Sequence, residues 1–382
     1  MRILHIITGT GVGGAEGVLL RLLARLRDKG AEQAVVSLTP LGAMAGAMRE
    51  QGFQVNSLEL STALDLPSAF LTCRQLVLQF QPDIVQTWMY HADLFGGLVA
   101  RIAGVRRVVW GIRMSQMIDE MPRSTRRVIR LCALTSRMIP TRIIAAAAAS
   151  RASHEILGYD LTRLTVIPNG FDLPPVRDAV LRAAARQRLG LPDAATRVIG
   201  AIGRYEPVKD QPTLIRAFAQ IAASSSGAHL VLIGRGCESS NSDLMEMLAQ
   251  LNLETSVTLA GEHSNARELL PAFDIFCLPS RSEGFPNVLG EAMAAGIPCV
   301  STDVGDAALL LADTGVVVRP RDPVALARGI QFLLEESAGF REKLGQCART
   351  RISEKFSMES TAESYFSLYD EMISADSRVG NI

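Results

Sequence analysis

Glu283 and Glu291 stand eight positions apart in the stretch Ser282-Glu283-Gly284-Phe285-Pro286-Asn287-Val288-Leu289-Gly290-Glu291-Ala292. The stretch reads as a loop entering a helix, with Pro286 suited to the first helical turn and Gly296 and Pro298 suited to its end. Glu283 then lies on the loop and Glu291 about one and a half turns into the helix, so both carboxylates can face one side and accept hydrogen bonds from sugar hydroxyls. The open N–H groups near Phe285, Pro286, Asn287 and Val288 offer a nest for an anion or a hydroxyl. A second candidate is Gly9-Thr10-Gly11-Val12-Gly13-Gly14, which formally matches G-x-G-x-x-G. A nicotinamide site also wants an acidic residue at the end of the second strand, and that strand ends Ser37-Leu38-Thr39. The glycines are therefore read as a general anion cradle in which Gly13 and Gly14 let backbone N–H groups approach a phosphate or sugar, with a tight turn as the alternative. Gly234-Arg235-Gly236 is a further turn after a strand, read as structural.

These segments need strands to carry them. Apolar, β-branched runs at 3–7, 33–38, 54–57, 84–87, 107–112, 143–145 and 164–167 alternate with amphipathic stretches of helical length. Such alternation specifies βαβ units, a parallel sheet and the α/β class. Pro168-Asn169-Gly170-Phe171-Asp172-Leu173-Pro174-Pro175 interrupts both kinds of element and reads as a hinge. A second series follows at 198–202, 230–233, 257–259, 275–278, 299–301 and 316–318, closed by three helices. The expectation is two Rossmann-like, doubly wound domains facing a central cleft, residues 1–172 and 173–357, with a last helix at 358–375 packing back on the first. Ligands of open α/β sheets bind beyond the carboxyl ends of strands, where the motifs above fall.

Composition narrows the classes. The chain has 382 residues, 39 Lys+Arg, 39 Asp+Glu and 6 Cys without C-x-x-C spacing, so zinc fingers, iron–sulfur clusters and redox dithiols are disfavoured. No apolar run reaches the ~20 residues of a membrane span. The balanced total hides a split: residues 1–170 carry 19 Lys+Arg and 12 Asp+Glu, leaving 20 and 27 for the remainder. Within residues 101–151 there are 11 Arg against Asp119 and Glu120. That stretch reads either as a face for an anionic partner or as a solvated Arg-rich surface, and nucleic acid is disfavoured because Trp110 is its one aromatic.

Taken together, the E-x7-E pair and its flanks resemble the signature of GT-B-fold retaining glycosyltransferases of family 4. Gly203-Arg204-Tyr205-Glu206-Pro207-Val208-Lys209-Asp210, Val166-Ile167-Pro168-Asn169-Gly170-Phe171-Asp172 and Gly13-Gly14-Ala15-Glu16 are similar to further motifs of that family, in its order. The resemblance implies that Arg204 and Lys209 neutralise a donor pyrophosphate, helped by the helix start at Asn287 and Val288. It further implies that Glu291 holds the ribose, that Glu283 with Gly284, Phe285 and Pro286 holds the donor sugar, and that Gly261 and His263 lie near the base. No D-x-D is present, which implies a reaction without metal or other cofactor, and the carrier is expected to be UDP. Where many relatives have a histidine, this chain has Arg113, read as a hydrogen-bond donor to the nucleotide sugar or to an anionic acceptor; His91, in Trp88-Met89-Tyr90-His91-Ala92-Asp93, is the candidate replacement for the histidine, with a cap or packed side chain as the alternative. Asp93 is consistent with a helix cap. The implied partners are a nucleotide-sugar donor, a glycan or lipid-linked acceptor and an anionic membrane surface met by the 101–151 stretch, at the inner face of the cytoplasmic membrane. Two other readings stay open, a nicotinamide-dependent oxidoreductase and a non-catalytic nucleotide-sugar-binding protein. A GT-B epimerase fits the motif set less well.

Overall fold

The computed structural model describes residues 1–114, 121–191, 197–224, 227–263 and 265–379. Asp119 and Glu120 lie outside these residues. Every run singled out above forms a strand, and at the centre of the first sheet the reason is burial on both faces: five of six residues of β1 (Arg2–Ile7) and all five of β4 (Ile84–Trp88) and β5 (Val108–Ile112) are buried. Strands covered on both sides select continuous Val, Ile and Leu rather than alternation, and they pair in parallel. β2 (Glu32–Ser37), β3 (Gln54–Ser57), β6 (Arg142–Ala145) and β7 (Leu164–Val166) complete a seven-stranded sheet in the order β3-β2-β1-β4-β5-β6-β7. Its helices are α1 (Gly14–Asp28), α2 (Ala43–Glu50), α3 (Leu66–Phe80), α4 (Tyr90–Ile102), α5 (Arg123–Thr135) and α6 (Ala148–Ile156).

The second series begins with α7 (Ala179–Arg188) and β8 (Arg197–Ile202), continues through α8 (Gln211–Ser224), β9 (Ala228–Ile233), α9 (Ser242–Gln250), β10 (Val257–Gly261) and β11 (Ile275–Leu278), and then α10 (Asn287–Ala294). It ends with β12 (Cys299–Thr302), α11 (Ala307–Leu311), β13 (Gly315–Val318), α12 (Pro323–Glu335) and α13 (Ala338–Lys355). The sheet order is β10-β9-β8-β11-β12-β13, again parallel throughout. The chain divides into two compact units, one of Met1–Gly170 with Met358–Ile382, the other of Phe171–Ser357. The last helix, α14 (Met358–Val379), therefore belongs to the first unit, where it packs on α1 and buries Met358, Ala362, Tyr365, Tyr369 and Met372 in the core shared with β1 and β4.

Both sheets reverse their winding direction once, between β1 and β4 and between β8 and β11. At such a switch point the two loops leaving adjacent strands diverge and open a crevice, which is where this architecture binds ligands. In the first unit those loops are 8–13 and 89; in the second they are 203–210 and 279–286.

Candidate active site

In the second unit, the loop after β8 carries Arg204 and Lys209 and the loop after β11 carries Glu283. The crevice brings the last two together: Lys209 Nζ lies 2.6 Å from Glu283 Oε1, with both side chains largely covered. Ser280 Oγ donates to the same Oε1 at 2.7 Å, and Ser280, fully buried, is itself held by Thr302 Oγ1 donating to its carbonyl at 2.7 Å. A charge-assisted bond in a half-dry crevice is strong, so this carboxylate is fixed in direction. Arg204 reaches Glu206 at 3.1 Å with its side chain about half exposed. Such an exposed pair holds little energy, which leaves the guanidinium able to swing.

Glycine is required here by close approach. Gly234 has φ +141 and a Cβ on it would stand 2.3 Å from the Gly203 carbonyl oxygen, so the turn after β9 presses against the start of the Arg204 loop. Gly305 has φ +54, and a Cβ there would meet the Gly284 oxygen at 2.3 Å; the Asp306 amide donates to that oxygen at 3.2 Å. The backbone of Glu283 and Gly284 is thereby backed from behind. Phe285 is buried with its ring centroid 6.0 Å from Phe171 and 5.9 Å from Phe356. Pro286 sits one residue earlier than the sequence suggests: it precedes α10, with φ −78 and ψ 84, and Asn287 is the first helical residue. Its ring fixes a φ that suits either position. The first amides bonding back are those of Leu289 and Gly290, both to the Pro286 carbonyl at 3.1 and 3.2 Å. The positive end of the α10 dipole thus points out of the loop near Asn287 and Val288. Glu291, fifth in the helix, is paired with Arg267 at 2.7 Å. Gly261 closes β10 at φ +69, locked between Cys237 and Gly234 by backbone bonds of 2.9 and 2.7 Å, and half-buried His263 follows two residues on.

The first unit places its candidates on its own carboxyl edge. Gly11, Gly13 and Gly14 are exposed, and none of Gly9, Gly11 and Gly13 takes a left-handed φ; a Cβ on Gly11 would touch nothing within 4 Å. The turn itself does not demand these glycines, and their effect is to leave bare backbone in front of α1. Thr10 is the buried anchor, its Oγ1 accepting from the Gly42 amide at 2.8 Å and its carbonyl from the Met44 amide at 2.9 Å. Met89, at φ +71, turns the chain sharply between β4 and α4, and half-buried His91 is the second helical residue; burial lowers its imidazole pKa. Asp93 makes no cap. It is buried, accepting from Thr87 Oγ1 at 2.5 Å and the Gly111 amide at 3.1 Å, and burial pushes its carboxyl up to about 7. Arg113, read as a donor or acceptor contact, has its guanidinium engaged inside the unit. Nη1 donates to Asn169 Oδ1 at 2.9 Å, Nη2 to the Tyr365 hydroxyl at 2.5 Å, and the group lies 4.1 Å over the Trp88 ring. It ties β5 to the hinge and to α14.

The Arg-rich stretch is likewise partly internal. Arg101, Arg107 and Arg151 donate to the carbonyls of Ile139, Met372 and Leu164, while Arg123, Arg127, Arg130 and Arg137 are exposed on or just beyond α5. From sequence, Arg267, Ser280, Arg281 and Asp210 carry no assigned role; Ser280 and Arg281 stand immediately before the Glu283 stretch and Asp210 closes the Gly203–Asp210 motif, but their partners are set by the fold. Among the described residues no group of three or more His, Cys, Asp or Glu is arranged to hold a metal, and no helix is long and apolar enough to cross a membrane.

Known proteins resemble this chain in sequence and in fold. Residues 12–174 match the family model described as Glycosyltransferase Family 4, and residues 196–336 that described as Glycosyl transferases group 1. A D-inositol 3-phosphate glycosyltransferase of Rhodococcus erythropolis is 31% identical over 229 residues, 58% of this chain and 51% of that protein. An N-acetyl-alpha-D-glucosaminyl L-malate synthase of Bacillus anthracis is 32% identical over 178 residues, 46% of this chain and 45% of its own. The chain thus spans about half the length of the curated relatives it matches. Among solved structures, Anabaena HepE in complex with UDP superposes with a TM-score of 0.84 over 97% of this chain and 100% of that one, at 23% identity. With both halves of the chain matched by glycosyltransferase domain models and the whole of it folded as two Rossmann-like units, the chain belongs to the GT-B glycosyltransferases, a family 4 domain followed by a group 1 domain.

Proposed function

We propose that the chain is a metal-independent, retaining glycosyltransferase that moves a sugar from a UDP-linked donor to a glycan or lipid-linked glycan acceptor of a cell-surface polysaccharide or glycolipid. The observation that carries the reading is the meeting of Lys209 with Glu283 at the switch point of the second sheet, 2.6 Å apart and beside the start of α10. Breaking a sugar–phosphate bond builds negative charge on the departing nucleotide, and fixed cations plus a helix dipole stabilise it without reorganisation. Lys209 has three N–H donors and one is directed at Glu283, so the ammonium can bridge a sugar-binding carboxylate and a phosphate. Arg204 and the amides ahead of α10 supply the rest of the phosphate clamp, and Glu291, oriented by Arg267, accepts from the ribose hydroxyls.

Retention follows from same-face attack, the acceptor hydroxyl losing its proton to the leaving phosphate. Glu283 is a poor nucleophile for the alternative double displacement, since Oε1 is already held by an ammonium and a hydroxyl. UDP is favoured as the carrier because the Anabaena structure holds UDP. The acceptor is assigned to the first unit. Its basic surplus suits an acidic acceptor, and the names of both relatives contain an anionic one, inositol phosphate and malate. The exposed face of α5 and its end carries Arg123, Arg127, Arg130 and Arg137 among Leu131, Leu134 and Met138, the last two each 75% exposed. That mixture suits an anionic lipid surface on the cytoplasmic side.

Thermal unfolding with UDP, GDP, ADP and NAD at millimolar concentration tests the reading, because a ligand bound only by the folded state raises the midpoint. The expected result is a shift with UDP that Glu291→Ala and Arg204→Ala abolish. A shift with NAD alone overturns it. Pelleting with anionic liposomes at low salt tests the α5 surface.

A further inference from the structure

We propose that Asp210 and Arg281 form a clasp that sets the register between Lys209 and Glu283, making them positioning residues for the donor. The inference rests on the transferase reading above. Arg281 straddles Lys209: its backbone amide donates to the carbonyl of Val208 at 2.8 Å, and its guanidinium meets the carboxylate of Asp210 through Nη2 at 2.9 Å and Nε at 2.8 Å. Lys209, between those two anchor points, reaches forward to Glu283, two residues beyond Arg281. Three residues of one loop, Val208, Lys209 and Asp210, are thus pinned against two of the other, Arg281 and Glu283, with the two ion pairs crossing.

Asp210 is fully buried and has φ +50, a left-handed conformation that a non-glycine residue adopts at a cost. Its carboxylate also accepts from Thr213 Oγ1 at 2.8 Å, and its carbonyl from the Thr213 amide at 3.0 Å, which anchors the strained residue to the first turn of α8. Strain of this kind persists only where surrounding contacts over-determine it, and it gathers at working sites. A hydrogen-bonded ion pair inside a crevice gives little net stability compared with apolar residues, but it fixes geometry. What it fixes here is the placement of Lys209 against Glu283. A spacing error there would separate the phosphate contact from the sugar contact on a single ligand, so the clasp matters most for a ligand that spans both.

The test uses the full chain and three nucleotides, UMP, UDP and UDP-glucose, with affinities measured by calorimetry for wild type, Asp210→Asn, Arg281→Lys and Arg281→Met. Wild-type binding of UDP checks the transferase reading by itself; no binding there defeats that reading and with it the clasp. Given binding, Asp210→Asn and Arg281→Met are expected to weaken UDP-glucose ten- to fifty-fold, UDP by a smaller factor and UMP less than threefold, and Arg281→Lys is expected to recover part of the loss. A uniform loss for all three nucleotides, or no loss for any, overturns the proposal. If Asp210→Asn does not fold, the Arg281→Lys and Arg281→Met pair decides in the same way. A cycle with Lys209→Met adds a second readout. Asp210→Asn should weaken UDP no further once Lys209 is gone, and additive losses would show that Asp210 acts elsewhere.

Discussion

The carboxyl edges of the two sheets are built from opposite materials. In the second unit the edge is made of ion pairs: Lys209 with Glu283, Arg281 with Asp210, Arg267 with Glu291 and Arg204 with Glu206. In the first unit it is made of buried, uncharged hydrogen bonds. His5 is held by Gln33 and Trp88 with its pKa lowered to about 4 by burial, His154 is stacked on Tyr90 with its own lowered to about 4, and Asp93 sits raised to about 7. Arg113 is the exception there, and it acts as a brace. The difference teaches what each edge is for. The half-exposed guanidiniums of that edge, Arg204 and Arg267, can be re-partnered by an anionic ligand at small cost, whereas desolvated neutral groups hold a shape and resist ionisation.

The largest effect that would break this comparison is loss of catalysis without loss of fold. Lys209→Met should lower turnover of the nucleotide sugar selected by the thermal screen at least a hundredfold, about 3 kcal/mol of transition-state stabilisation, with a comparatively small drop in Tm. Equal damage to both would make the second edge structural too. Arg113→Ala should do the reverse. Two hydrogen bonds and the stacking on Trp88 are worth about 2–4 kcal/mol together, so unfolding of the first unit should come about 5–10 °C earlier, with UDP affinity retained. Unchanged Tm with lost turnover would instead return Arg113 to the ligand.

The third prediction uses pH. Asp93 has a folded pKa raised from 3.8 to about 7, so the native state holds its proton more tightly than the unfolded chain, and the stability this gives is present below pH 4 and lost as pH rises through 7. The full swing is on the order of 4 kcal/mol. His5 and His154 work in the other direction: lowered from 6.5 to about 4, they withdraw stability as pH falls through that range. The stability of the wild type relative to Asp93→Asn, which keeps an oxygen for Thr87 and Gly111 and leaves both histidines in place, should therefore decline from pH 5 to 8 in paired denaturation midpoints. Parallel profiles would remove Asp93 from the account. The smallest effect belongs to the exposed pair on the second edge, where Glu206→Ala should cost less than about 1 kcal/mol of stability.

What the sequence by itself determined is the order and kind of elements. Runs such as Val108–Ile112 are apolar on both faces, and that demands a doubly covered parallel strand whatever surrounds it. The loop positions of Glu283, Lys209 and Gly13 follow, and that of His91 at a helix start, since each stands past such a run. Local chemistry also governed the start of α10, with Pro286 misplaced by one residue because its fixed φ suits the position before a helix as well as the first position within it. What only the tertiary structure decided is who meets whom. Lys209 and Glu283 are 74 positions apart, and Arg281 and Asp210 71. Their pairing depends on β8 and β11 becoming neighbours at the switch point, which is a property of strand order and leaves no periodicity in the chain. Arg113 shows the same limit from the other side. Nothing beside Arg113 in the chain announces that α14, some 250 residues later, returns to the first unit and brings Tyr365 against it. Burial has the same source: Asp93 looks like a cap in sequence, and only the layers of side chains packed around it remove the water that would have kept it an ordinary carboxylate.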